Sequence, residues 1–98
     1  MSTNLNSLQE LALDLVAHSY ESVAALEAEV RLLMGNGVSK QQITAALEAL
    51  RELGLADAYT YRDSDGVYLR YRRDKLKPGV DVSWYASDSG RELNAASA

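Results

Sequence analysis

The chain has no cysteine and one histidine, His18, and these two shortages exclude more chemistry than any motif adds. Without cysteine there are no disulfides and no thiolate nucleophile, so packing alone must hold the fold. A structural zinc site would rest on one imidazole plus carboxylates, an unusual ligand set, so no metal or cofactor is expected. Nucleophilic catalysis fails on the same count: an activated serine needs a base, and no serine and acid stand at a matching spacing from His18. The expectation is a protein that is not an enzyme. Long apolar runs are missing too, since none approaches the ~18 residues of a membrane span. The start, MSTNLNSLQE, has neither the basic residues nor the apolar centre of a signal peptide. A cytoplasmic protein with no membrane partner is expected.

Positive charge is scarce over most of the chain. From Met1 to Tyr61 three basic residues (Arg31, Lys40, Arg51) stand against eight acidic ones. From Arg62 to Lys77 the balance reverses, with six basic residues (Arg62, Arg70, Arg72, Arg73, Lys75, Lys77) against three acidic (Asp63, Asp65, Asp74). The overall charge of −4 argues against nucleic acid, and its segregation argues for one short positive segment.

Ninety-eight residues fill one core, so a single domain over 1–98 is expected. Leu5, Leu8, Leu11, Ala12, Leu15 and Val16 recur at helical spacing and predict a helix over 5–18, with His18 as a cation near its C-terminal dipole. Leu13 and Ala17 fall off that stripe. Leu13 is either an ordinary exposed leucine or part of a second buried face of the kind a dimer needs. Ser22 is a fitting N-cap for a helix over 23–34, whose stripe is Val23, Leu26, Val30, Leu33 and Met34, with Glu27 and Arg31 pairing on the exposed side. Gly35-Asn36-Gly37 ends it.

Ser39 and Gln42 form a capping box that opens a helix over 40–53. Ile43, Ala46, Leu47 and Leu50 line one side of it, with Leu53 at the margin; Gln41, Ala45, Glu48 and Glu52 lie opposite, with Thr44 at their flank. Gly54 stops the helix. Alternating runs then predict strands over 55–62 and 67–73 around Asp63-Ser64-Asp65-Gly66, a hairpin turn. That turn also opens like a calcium loop, but its glycine comes two positions early and Tyr68 occupies the glycine's place. Lys77-Pro78-Gly79 is a second turn before a strand over 80–86, in which Val80, Val82, Trp84 and Ala86 point inward, and Ser87 caps a helix over 88–95. The tyrosines of the strands suit either stacking on single-stranded bases or cross-strand packing.

Two helices joined by a glycine turn, the second running into a strand, follow helix-turn-helix grammar. The segment GVSKQQITAALEALRELGLADAY, closing on Leu50-Arg51-Glu52-Leu53-Gly54-Leu55, resembles winged helix-turn-helix regulators, in which the third helix ends in L-x-x-x-G-L and enters the wing. Trp84-Tyr85-Ala86-Ser87-Asp88-Ser89-Gly90-Arg91-Glu92-Leu93 is similar to the Y-x-L-T-x-x-G-R-x-L segment with which regulators of the phenolic-acid-decarboxylase repressor (PadR) and multiple-antibiotic-resistance repressor (MarR) types leave the wing. Together these matches span about Ser22 to Leu93. The stretch from Arg70 to Val82 exceeds a minimal wing, and Trp84 and Ala86 replace the tyrosine and leucine of the pattern.

The resemblance implies an α+β, mainly helical fold: three N-terminal helices, a β-wing hairpin with an extended second half, and a short C-terminal helix. It implies that Lys40, Gln41, Thr44 and Ala45 face double-stranded DNA, while Arg62, Arg70, Arg72, Arg73, Lys75 and Lys77 of the wing meet phosphates. A transcriptional regulator acting as a homodimer through its first and last helices, with Leu13 and Leu93 as contacts, is the function implied. Glu48 and Glu52 oppose phosphate if the third helix lies flat in the groove, which leaves the alternative of a protein-interaction module with an acidic surface and no DNA binding.

Overall fold

A computed structural model describes residues 5–72 and 81–97, which form four helices and one four-stranded antiparallel sheet, an α+β arrangement. Helix α1 (Ser7–Val16) starts later than the apolar stripe suggests, because Asn6 and Gln9 form a capping box that fixes its first turn. It stops at Val16, so His18 lies in the bend beyond the helix and faces solvent. Strand β1 (Glu21–Ser22) leads directly into α2 (Val23–Met34), and the Ser22 hydroxyl caps α2 by accepting the Ala25 N–H at 3.1 Å. Helix α3 (Lys40–Glu52) carries the predicted capping box of Ser39 and Gln42. Gly54, at φ +74°, turns the chain out of it, a left-handed conformation that glycine adopts without strain.

Strands β2 (Ala56–Arg62), β3 (Val67–Arg70) and β4 (Ser83–Ala86) follow, and helix α4 (Asp88–Ser97) closes the fold. The sheet order is β1-β4-β2-β3. β2 is long enough to serve two partners: its first half pairs with β4 (Ala58 opposite Trp84) and its second half with β3 (Tyr61 opposite Tyr68). The turn Asp63–Gly66 joins β2 to β3 as expected of an Asp-Gly hairpin. β3 ends at Arg70, short of the predicted 73, and β4 begins at Ser83; Val80 and the predicted turn Lys77-Pro78-Gly79 lie outside the described residues.

The inner face of the sheet explains its composition. Ala56, Ala58 and Ala86 are buried there beside the fully buried Trp84, and the small side chains leave room for the indole. Val16, Leu26, Val30, Ile43, Leu47 and Leu50 from the three N-terminal helices complete the core.

Two expectations about the helices are overturned. Leu33 and Met34 do not join the core: they are 62% and 43% exposed, and Leu32 beside them 81%, because the covered face of α2 ends at Val30. Leu13 is not a surface contact for a second copy, being 2% exposed within its own chain. The second buried face of α1 is real, and α4 covers it. A Cβ placed at Gly90 would lie 3.1 Å from Leu13 Cδ1, and Asn94 donates to the Asp14 carboxylate at 3.1 Å across 80 residues of sequence. Leu93 is half-buried against the same core.

Candidate nucleic-acid interface

The capping box of α3 consumes the Ser39 hydroxyl and the Gln42 amide oxygen, so the side chains left outward on the first turns are Lys40, Gln41 and Ala45, all exposed. Thr44 is half-buried, and its hydroxyl donates to the Lys40 carbonyl at 2.9 Å. This back-bond satisfies the hydroxyl inside the helix and leaves the methyl as the outward group. Further along, Glu52 is exposed, while Glu48 is half-buried with one carboxylate oxygen shielded from solvent and without a hydrogen bond among the described residues.

Lys40 and Thr44 also form one wall of an open cleft of about 670 Å³, whose other sides are the start of α2, the end of β2 and the approach to β4. Asp63 and Asp81 line that cleft with Tyr61. The ammonium of Lys40 therefore shares its cleft with two carboxylates, which weakens the local positive field.

Arg62 and Arg70 are engaged by acids of their own hairpin. Asp65 takes two donors of Arg62, Nε (2.9 Å to Oδ1) and Nη2. The guanidinium holds the Asp65 carboxyl below its ordinary range and is itself held more firmly in the charged form. Arg70 pairs with Asp57 at 3.2 Å across the β2–β3 ladder. Arg72 is exposed. It shares a hollow of about 340 Å³ with Arg70, Asp57, Tyr71 and Arg51, a residue whose place here sequence reasoning missed. Arg51 reaches it by donating from Nη2 to the Tyr71 carbonyl at 2.8 Å, with its guanidinium 5.7 Å from the Tyr71 ring centroid. Arg73, Lys75 and Lys77 lie outside the described residues.

Positive charge thus sits at both ends of α3. At 1.5 Å rise per residue, Lys40 and Arg51 are about 16 Å apart along the axis, and Glu48 lies between them.

The outer face of the sheet is aromatic. Tyr59, Tyr61, Tyr68 and Tyr85 gather there, and Tyr20, which precedes β1, lies over them. Its ring stacks on Tyr68 with centroids 3.9 Å apart and meets Tyr59 edge-on at 5.1 Å. These rings pack on one another over the sheet, Tyr61 and Tyr68 across the β2–β3 ladder with centroids 5.0 Å apart. Burial raises the Tyr59 phenol pKa, with the nearby Asp57 carboxylate adding to the effect.

Among the described residues no group of three or more histidine, aspartate or glutamate side chains is arranged to hold a metal ion, and no helix is long and apolar enough to cross a membrane. Comparison with protein families, with curated proteins and with solved structures finds no match to the chain.

Proposed function

We propose that the chain is a winged-helix DNA-binding protein of the PadR or MarR kind, acting as a transcriptional regulator. The observation that carries this reading is the pairing of the two-residue strand β1 with β4, Glu21 opposite Trp84. Because β1 lies between α1 and α2, the order β1-β4-β2 beside three helices matches the arrangement a winged helix uses, with β3 added outside β2. In that arrangement α3 is the recognition helix. Its outward first turns suit an end-on approach: Lys40 meets phosphate or guanine, Gln41 pairs with adenine, and Ala45 meets a thymine methyl. Glu48 and Glu52 then stay clear of the phosphates.

The ion pairs in the wing do not weigh heavily against this. Solvent and salt screen exposed pairs such as Arg62–Asp65, so phosphate competes for the same guanidinium at small cost. With Lys40, Arg62, Arg70 and Arg72 as contacts, the logarithm of affinity should fall against that of salt with a slope of about −3 to −4. Fluorescence anisotropy with duplex DNA over a salt series is the test. Absence of binding at low salt, or a weak signal indifferent to salt, would sink the reading.

A second reading, a winged-helix interaction module that binds protein and not DNA, draws on the bare Leu32, Leu33 and Met34 at the end of α2 and on the net charge of −4. Its signature in the same anisotropy experiment is no DNA binding. The accompanying protein complex should be lost with Leu32→Glu and Leu33→Glu; a complex indifferent to both substitutions removes its support.

A further inference from the structure

β3 is the last strand of the sheet, and all four of its residues are exposed. Its backbone has a definite polarity towards the two sides. The Tyr71 N–H donates to Ala58 at 2.7 Å, and Leu69, whose carbonyl accepts the Thr60 hydroxyl at 3.4 Å, stands opposite Thr60. In an antiparallel ladder the amides of alternate residues turn to alternate sides. Those of Val67 and Leu69 therefore face β2, and the N–H and C=O of Tyr68 and Arg70 point out of the sheet with no strand beyond them among the described residues.

Edges of this kind are usually blunted by charge, proline or a bulge. β3 has only Arg70 to do so, while Val67 and Leu69 remain 40% and 41% exposed on one of its faces.

We propose that β3 pairs antiparallel with β3 of a second copy about a two-fold axis through Tyr68, joining the two sheets into one of eight strands. The register follows from the faces. Residues paired across strands share a face, so Tyr68 meets its own copy once on the aromatic side, while Val67 meets the partner's Leu69 on the other, a contact that occurs twice. The outward N–H and C=O of Tyr68 bond their counterparts across the axis, and the Arg70 N–H meets the carbonyl of the partner's Gly66, whose N–H is held within its own hairpin by the Arg62 carbonyl at 2.9 Å.

Charge agrees with this register. Beyond the strand, Arg70 and Arg72 run beside the turn containing the partner's Asp63 and the partner's Asp65, with no like charges opposed. An axis at Arg70 would set guanidinium against guanidinium. One at Leu69 would set Val67 against the partner's Tyr71, whose ring already lies beside the Arg51 guanidinium. The contact needs neither Leu13 nor α4, and it does not depend on DNA binding.

Sedimentation velocity of the full chain without DNA tests the proposal. The 10.7 kDa chain should sediment as a dimer. Val67→Lys with Leu69→Lys opposes like charges at both paired positions and should give a monomer. Val67→Lys with Leu69→Glu sets lysine against glutamate at both and should restore the dimer, which loss of folding would not do. Both residues are exposed, and burial of Trp84, followed by its fluorescence, reports that each variant is folded. In a chain with no other cysteine, Tyr68→Cys should form an intermolecular disulfide on oxidation, since the paired Cα atoms would lie about 5.5 Å apart. A wild-type monomer at every accessible concentration overturns the proposal. So does a dimer that survives the double lysine change, or a Lys/Glu variant that stays monomeric.

Discussion

The backbone of Gly90 lies against the carbonyl of Leu55 so closely that a Cβ at position 90 would overlap the carbonyl oxygen and come within 2.9 Å of its carbon. The first turn of α4 thus rests directly on the chain leaving α3. Ser87 secures the junction: its hydroxyl donates to the Gly54 carbonyl at 2.6 Å and accepts the Gly90 N–H at 3.1 Å.

Gly90→Ala should therefore act as an overpacking mutation against backbone, which has less freedom to yield than a side chain. A loss of about 3 kcal/mol is expected, at the upper end of the usual overpacking range. At ~4–8 °C per kcal/mol for a domain of this size, the melting temperature should drop by roughly 12–24 °C. Thermal and urea denaturation followed by circular dichroism check this; a change within experimental error would mean that α4 sits farther from Leu55.

Within the proposed interface, Lys40 and Thr44 should separate. Lys40→Ala removes a phosphate contact, so DNA affinity should fall alike on all sequences and the salt slope should flatten by about 1. Thr44→Val keeps a methyl and loses a hydroxyl already given to the Lys40 carbonyl, so affinity should hold. Anisotropy titrations of both variants decide the matter. A large loss with Thr44→Val would assign that hydroxyl to DNA.

Asp65→Asn frees the Arg62 guanidinium and removes a negative charge from the β2–β3 turn. Tighter DNA binding is expected, with the salt slope steeper by about 0.9 for each further phosphate neutralised. The same variant tests the lowered carboxyl of Asp65. Any stability from that pair is present above the ordinary carboxylate range and lost as pH falls through the lowered value, so the acid limb of the wild type should flatten in Asp65→Asn.

Alkaline stability should carry the mark of Tyr59. Burial raises its phenol pKa above the ordinary tyrosine value of about 10, so above about pH 10 the unfolded chain releases a proton that the folded chain retains. Stability from this group is complete below that value and declines as pH rises through the folded value. Urea unfolding between pH 9 and 11 should show a shallower decline in Tyr59→Phe; equal slopes would mean that another tyrosine is responsible.

The parts of the fold that could be read from the sequence are those governed by neighbours in the chain. The Ser39–Gln42 box, the Ser22 cap, the stop at Gly54 and the Asp-Gly hairpin all act within a few residues, and the structure contains each of them. Glu21–Ser22 escaped because two residues carry no alternation, and only their partner β4 makes them a strand. Leu13 was misassigned because a helical wheel presumes a single buried face, whereas α1 is covered by α3 on one side and α4 on another. Leu33 continues the stripe of α2 correctly, but how far a stripe is covered depends on where the neighbouring helices end. At the candidate site, the exposure of Lys40 and Gln41 followed from the phase of α3. The Arg70–Asp57 pair and the position of Arg51 followed from strand register, which composition does not encode.

The hydrogen bond between Asp14 and Asn94 also has a consequence for synthesis. At ~5–20 residues per second, the ribosome needs roughly 4–16 seconds between making one partner and the other. Throughout that interval the face of α1 that carries Leu13 lacks the helix that covers it in the finished fold. The nascent chain therefore carries an apolar helix face that waits for α4 to cover it.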